Sequence, residues 1–154
     1  VATLRVMRGL PGSGKSTWAR ATQAAFPQGA VAVLSRDDVR EKVFGLSLAP
    51  GQGVLNAAGE DAVTAVTEVS ARALLSRGVH VIADATHLSD EHLAPWVALA
   101  LEVGADLELV DLRHIPVEEC IARDAARAAA GGRGVGAKVI RELHETGRPT
   151  WAPR

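Results

Sequence analysis

Nine consecutive residues restrict this chain more than any other feature. Gly9-Leu10-Pro11-Gly12-Ser13-Gly14-Lys15-Ser16-Thr17 fits G-x-x-x-x-G-K-[ST] in full. Glycine at these spacings lets successive backbone N–H groups turn inward around phosphate oxygens, so Gly9, Gly12, Ser13 and Gly14 form a cradle. A helix starting near Lys15 adds the positive end of its dipole. Lys15 can then reach the β- and γ-phosphates of a nucleotide, and the Ser16 hydroxyl can ligate Mg²⁺. Thr17 either joins the cradle or simply continues the helix. The pattern requires a strand before it and a helix after it. Residues 3–8 read as a short strand, and residues 16–26 as a helix stopped by Pro27 and Gly29.

The rest of the chain repeats that alternation. Residues 30–35 and 79–83 are apolar runs of strand length, expected to be buried, the first on both faces, and residues 107–113 read as a further strand. Helices are expected over 37–44, 57–77, 89–103, 116–130 and 137–145, the second with Ala62, Val66, Val69 and Ala73 on its buried face. Residues 45–53 read as a loop, 131–136 as a flexible glycine-rich break and 148–154 as a tail. Strands alternating with helices imply a parallel sheet wrapped on both faces, here of the P-loop NTPase type with a helical lid. One such kinase domain is expected over residues 1–154, standing alone or as a module of a longer protein. In such sheets ligands bind beyond the carboxyl ends of the strands. Residues 9–16, 36–40, 84–87 and the stretch after Arg113 should therefore open onto one cleft.

Composition narrows the partners. A formal net charge of −1 excludes capture of nucleic acid by bulk electrostatics, so any such contact must be short and local. Cys120 is the only cysteine, which suits a reducing compartment such as the cytoplasm. No apolar run reaches membrane-spanning length. Oligomeric state is not legible.

The motif names a nucleotide and a metal but not what receives the phosphate. Asp37, at a strand end, is placed to accept the proton of an attacking hydroxyl and to orient it. Arg40 follows three residues later on the same helical face, and its guanidinium suits a phosphate on the acceptor. Equally, Asp37 or Asp38 could cap the helix. Asp84 ends the third strand in the manner of an acid that holds Mg²⁺ directly or through water. His87, close by, reads as a surface residue. Arg123, Arg127 and Arg133 are candidates for a lid cation near the γ-phosphate. Glu119 stands four residues before Arg123, as in an ordinary surface pair, whereas Arg127 has no acid at that spacing.

Taken together, these residues resemble the phage-type polynucleotide 5′-kinases, the kinase half of end-healing kinase–phosphatases. The similarity covers most of the chain and is carried by Gly12-Ser13-Gly14-Lys15-Ser16-Thr17-Trp18-Ala19-Arg20, Arg36-Asp37-Asp38-Val39-Arg40 and Leu93-Ala94-Pro95-Trp96. The resemblance implies transfer of the γ-phosphate of ATP, with Mg²⁺, to a 5′-hydroxyl end of single-stranded or nicked DNA or RNA. It makes Asp37 the base for that hydroxyl, Arg40 the grip on the phosphate 3′ to it, and Arg127 the lid arginine. It also implies a possible linked phosphatase or ligase domain. The sequence departs from phage members where Asp84-Ala85-Thr86-His87 moves the acid one residue earlier. The glycine stretch also looks longer, so Arg133 competes with Arg127. A small-molecule kinase, and an ATPase or nucleotide switch that transfers nothing, are the other readings weighed.

Overall fold

The structure is a computed structural model that describes residues 1–46 and 55–147. The loop expected at 45–53 falls mostly outside these residues, and the tail at 148–154 entirely so.

Four strands, β1 (Thr3–Arg8), β2 (Val31–Ser35), β3 (His80–Asp84) and β4 (Asp106–Asp111), form one sheet in the order β2-β3-β1-β4, every neighbouring pair parallel. Register is anchored by Leu4 opposite Val81 and Leu107, and by Ser35 opposite Asp84. Helices cover both faces. On one lies α1 (Lys15–Ala24), where Met7, Ala19, Val31 and Ile82 close a core with Trp18 and Phe26 at its margin. On the other lie α3 (Ala57–Leu75) and α4 (Asp90–Val103), packing Ala71, Leu75, Trp96 and Leu99 on Leu4, Val6, Val81 and Ala83. A third cluster sits at the carboxyl end of the sheet. There α5 (Val117–Ala129) and α6 (Ala137–Thr146) bring Cys120, Ile140 and Leu143 onto Leu10. These two helices are the expected lid.

Three expectations need correction. The buried face of α3 is Val63, Thr67, Ala71 and Leu75, while Val69 is 62% exposed. The apolar stripe was the wrong guide because Glu60 and Thr67 are polar and still face inward. Second, β2 is an edge strand, and Ala32, Val33 and Leu34 along it are only partly buried, not enclosed on both faces. Only the inner strands are buried as an apolar run suggests. Third, residues 37–44 are not one plain helix. A single α-turn, α2 (Arg36–Asp38), runs into a π-helical turn (Val39–Val43), with the Phe44 N–H reaching the Val39 carbonyl. Such wide turns concentrate at functional sites.

Candidate active site

The phosphate loop lies between β1 and α1. Gly14 is the N-cap of α1 at φ 98°, in the left-handed region that glycine adopts without penalty. Gly12 has φ 84°, and a Cβ there would stand 2.2 Å from the Cys120 carbonyl oxygen. Helix α5 thus presses on the loop from behind, and only glycine leaves room. The Gly9 N–H donates to the Thr86 carbonyl (3.0 Å), tying the loop to the segment after β3. Ser13 is buried and Thr17 is exposed on α1.

Lys15 is buried, and Nζ donates to the Leu10 carbonyl at 2.8 Å. Burial lowers its pKa to about 8, with Asp84 pulling the other way. Ser16 Oγ donates to Asp84 Oδ2 at 2.8 Å. The Asp84 shift along the chain therefore leaves its carboxylate facing the loop serine. One hydroxyl and one carboxylate side by side suit Mg²⁺, which keeps several waters and takes its remaining oxygens from phosphates. Among the described residues no group of His, Cys, Asp and Glu could enclose a metal by itself.

A cavity of about 490 Å³ opens beside Asp84 and is lined by Leu34, Arg36, Arg40, Glu60, Thr64 and Trp96 among others. Ser35, not an aspartate, caps α2, its Oγ accepting from the Asp38 N–H (3.3 Å). That leaves Asp37 Oδ1 free to accept from Arg40 Nη1 (2.8 Å). The principal partner of Arg40 is Glu60 on α3: Nε donates to Oε2 (2.9 Å) and Nη2 to Oε1. Glu60 thereby holds the guanidinium plane fixed, and its own pKa falls because Arg40 and Arg36 outweigh its burial. Arg36 is held by Thr64 Oγ1 (2.7 Å) and the Glu60 carbonyl (3.2 Å). Of the five N–H groups of Arg40, one on each Nη remains for a ligand. Sequence reasoning missed Glu60 and Thr64. They lie more than twenty residues from Arg36, and the only available signal was a Glu in the first turn of a helix, which reads as dipole compensation.

His87 is a correction. It is 7% exposed, not a surface residue, and sits at φ 43°. Its Nδ1 is 2.6 Å from the Met7 carbonyl, so Nδ1 carries the proton, and Nε2 accepts from Trp96 Nε1–H at 2.9 Å. Burial lowers the pKa to about 4, keeping the ring neutral. Arg8 braces the same segment, Nε donating to the His87 carbonyl (2.8 Å) and Nη2 to that of Leu88 (2.9 Å). His87 and Trp96 together form one wall of the cavity.

The three candidate lid arginines have three different targets. Arg123 Nη2 pairs with Glu119, as its spacing implied, while Nη1 lies 3.4 Å from the Ser13 carbonyl on the phosphate loop. Arg127 does have an acid, three residues back instead of four: Nη2 donates to Asp124 Oδ1 at 3.2 Å. Arg133 crosses to the segment after β2, donating to Asp38 Oδ1 and Glu41 Oε2, each at 2.6 Å. The glycine-rich stretch is a built loop, because the buried Asp124 carboxylate accepts from the Val135 and Gly136 N–H groups.

A glycine loop on a parallel sheet, with Ser16 against Asp84 and helices closing from α5 and α6, defines a P-loop kinase fold. A family model described as an AAA domain, AAA_33, matches residues 4–150, and the chain belongs to that family. Among solved structures it is similar to a chain of the Pnkp1/Rnl/Hen1 RNA repair complex, at 30% identity and a TM-score of 0.79 over 94% of this chain and 43% of that one. A second structure of the Pnkp1/Rnl/Hen1 complex gives 33% identity and a TM-score of 0.68 over 79% of this chain and 38% of that one. This chain therefore spans less than half the length of those relatives. The Mycobacterium tuberculosis APS kinase CysC in complex with AMPPNP and APS shares the fold, at 22% identity and a TM-score of 0.62 over 99% of this chain and 84% of that one. No curated protein matches the chain. The relation to an RNA repair complex agrees with the resemblance drawn from the motifs. No helix among the described residues is long and apolar enough to cross a membrane.

Proposed function

We propose that the chain transfers the γ-phosphate of ATP to the 5′-hydroxyl end of DNA or RNA. The observation that carries this reading is the cavity reaching from Asp84, beside Ser16, to Arg40. Lys15 holds the β- and γ-phosphates, assisted by the N–H groups of the loop. Mg²⁺, held through Ser16 and Asp84, would neutralise charge on the transferring group. Asp37 orients the attacking hydroxyl and takes its proton, while Arg40 offers its two remaining N–H groups to the phosphate 3′ to the acceptor nucleoside. Arg127 supplies the lid charge, with Arg123 and Arg133 flanking it. Similarity to the RNA repair complex supports a nucleic-acid acceptor and a linked or associated repair activity.

One observation favours a second reading. Glu60, Asp61, Glu68, Asp84 and Glu91 line the cavity beside two arginines, Arg36 and Arg40, and two histidines, His87 and His92, an acidic balance that suits a small, weakly charged alcohol. ATP labelled at the γ-phosphate, supplied with 5′-hydroxyl DNA, 5′-hydroxyl RNA, nucleoside 3′-phosphates and a panel of small alcohols, separates the two. Label entering oligonucleotide 5′ ends is expected; label confined to an alcohol would replace this reading with the second.

A further inference from the structure

We propose that Asp124 is a positioning residue, whose carboxylate holds Arg127 and the lid loop in the arrangement needed for transfer. The proposal rests on the reading of Arg127 as the lid arginine.

Asp124 is 2% exposed, the most deeply buried acid in the described residues. A carboxylate out of water is costly unless its lone pairs are satisfied. Here they are, all by the lid. Oδ1 accepts from Val135 N–H (3.1 Å) and Arg127 Nη2 (3.2 Å), and Oδ2 from Val135 N–H (3.2 Å) and Gly136 N–H (3.0 Å). Gly136 is the residue from which α6 starts. Arg127 is gripped a second time, its Nε donating to the Arg133 carbonyl at 2.5 Å. The guanidinium therefore lies along the loop, fixed at one end by the acid and at the other by the loop backbone.

That geometry does more than fasten a loop. If the carboxylate were only a loop anchor, the two backbone N–H groups would satisfy it and the arginine could point anywhere. Instead one oxygen is shared between the loop and Arg127, so loop position and arginine direction are set by one group. The loop also carries Arg133, which contacts Asp38 and Glu41 beside the candidate base Asp37. Asp124 thus fixes where the lid meets both the phosphate side and the acceptor side. A preorganised cation costs no rearrangement as charge develops, which is where a positioning residue has its effect.

The test is a double-mutant cycle in single-turnover transfer. It uses whichever acceptor becomes labelled, or slow hydrolysis of ATP where none does, so failure of the acceptor reading stays separate. Arg127→Ala should slow transfer about a hundredfold, the scale of losing one preorganised donor. Asp124→Asn should slow it about tenfold with KM for ATP and acceptor little changed, because the arginine is misdirected in the transition state while ground-state binding is untouched. In the Arg127→Ala background, Asp124→Asn should cost less than about twofold more, since its route of action is gone. A full further loss there would show that Asp124 acts independently of Arg127 and overturn the proposal. Wild-type turnover in Arg127→Ala would overturn it too, by removing the lid arginine. If Asp124→Asn does not fold, Asp124→Glu keeps the charge, displaces it by one methylene, and enters the same cycle. A final arm leaves Asp124 intact. Guanidinium at sub-denaturing concentration should partly restore Arg127→Ala because the carboxylate remains to seat it, and no restoration would count against the proposal.

Discussion

The two halves of the cleft are made in opposite ways. The nucleotide half is contiguous: Gly9 to Thr17 supply the cradle, and the backbone supplies most of its donors. The half proposed for the acceptor is assembled from side chains on separate elements, with Arg36 and Arg40 on one segment and Glu60 and Thr64 on another. The first is a backbone conformation, fixed by glycine φ angles and by α5 packing at Gly12. The second is a set of charge-assisted hydrogen bonds that can be retuned one residue at a time. A fold of this kind can therefore keep its nucleotide chemistry while its acceptor changes.

The contrast can be broken most severely at Lys15. Lys15→Ala removes the one side-chain cation of the cradle, and transfer should fall by about a thousandfold or more, the upper range for a lost transition-state donor. The loss should be the same for every acceptor. Turnover near wild type, measured with labelled ATP, would remove the phosphate-loop reading altogether.

Glu60→Gln addresses the other half. It leaves the cradle untouched but takes the charge from the pair that orients Arg40. kcat/KM for the acceptor should drop about a hundredfold while KM for ATP stays within twofold, since breaking a partly buried pair leaves Arg40 balanced by Asp37 alone and its plane unfixed, at a cost of a few kcal/mol. Equal damage to both substrates would show that the halves are not separable.

How much of this was legible in the sequence follows the same division. Gly12, Lys15 and Ser16 announce themselves because the backbone geometry admits few other residues at those spacings. Asp84 was also legible, as an acid ending a buried strand. Glu60 was not, because pairing across a fold leaves no local mark, and a Glu near a helix start has an ordinary explanation. The inward face of α3 was misread for a related reason: Thr67 is polar yet buried, so apolar periodicity selected the neighbouring stripe. Asp124 escaped because the i,i+4 spacing shows no acid before Arg127, and the partner stands three residues before it.

The pH dependence of nucleotide binding sharpens the comparison further. Burial sets the Lys15 pKa at about 8, below its ordinary 10.5, so the free protein loses this cation as pH rises through that value. Phosphates favour the charged form, and binding above about pH 8 must take up a proton. ATP affinity should be flat from pH 6.5 to 7.5 and then weaken, approaching about tenfold per pH unit at most. Lys15→Arg should bind more weakly at neutral pH but lose the alkaline decline. An alkaline decline that persists in that variant would assign it to another group.

The smallest effect concerns the brace behind the acceptor cavity, where His87 takes a hydrogen bond from Trp96. Trp96→Phe leaves Nε2 of a buried ring without its donor and should cost about 1 kcal/mol at pH 7. The acid side makes the test specific. Burial holds His87 at about 4 in the folded protein against an ordinary 6.5. The unfolded chain therefore binds a proton that the folded one refuses, and stability falls between pH 6.5 and 4 by about 3 kcal/mol at the most. In Trp96→Phe no N–H points at Nε2, so protonation there is opposed less and the folded pKa moves up towards 6.5. The variant should thus lose less stability than wild type on acidification, even with Arg36 and His92 still opposing a positive charge on His87. Melting temperatures of the two proteins should be furthest apart near pH 7.5 and converge towards pH 4.5. A gap that stays constant across that range would mean the indole contributes by packing alone, and that the ring it touches does not titrate through this contact.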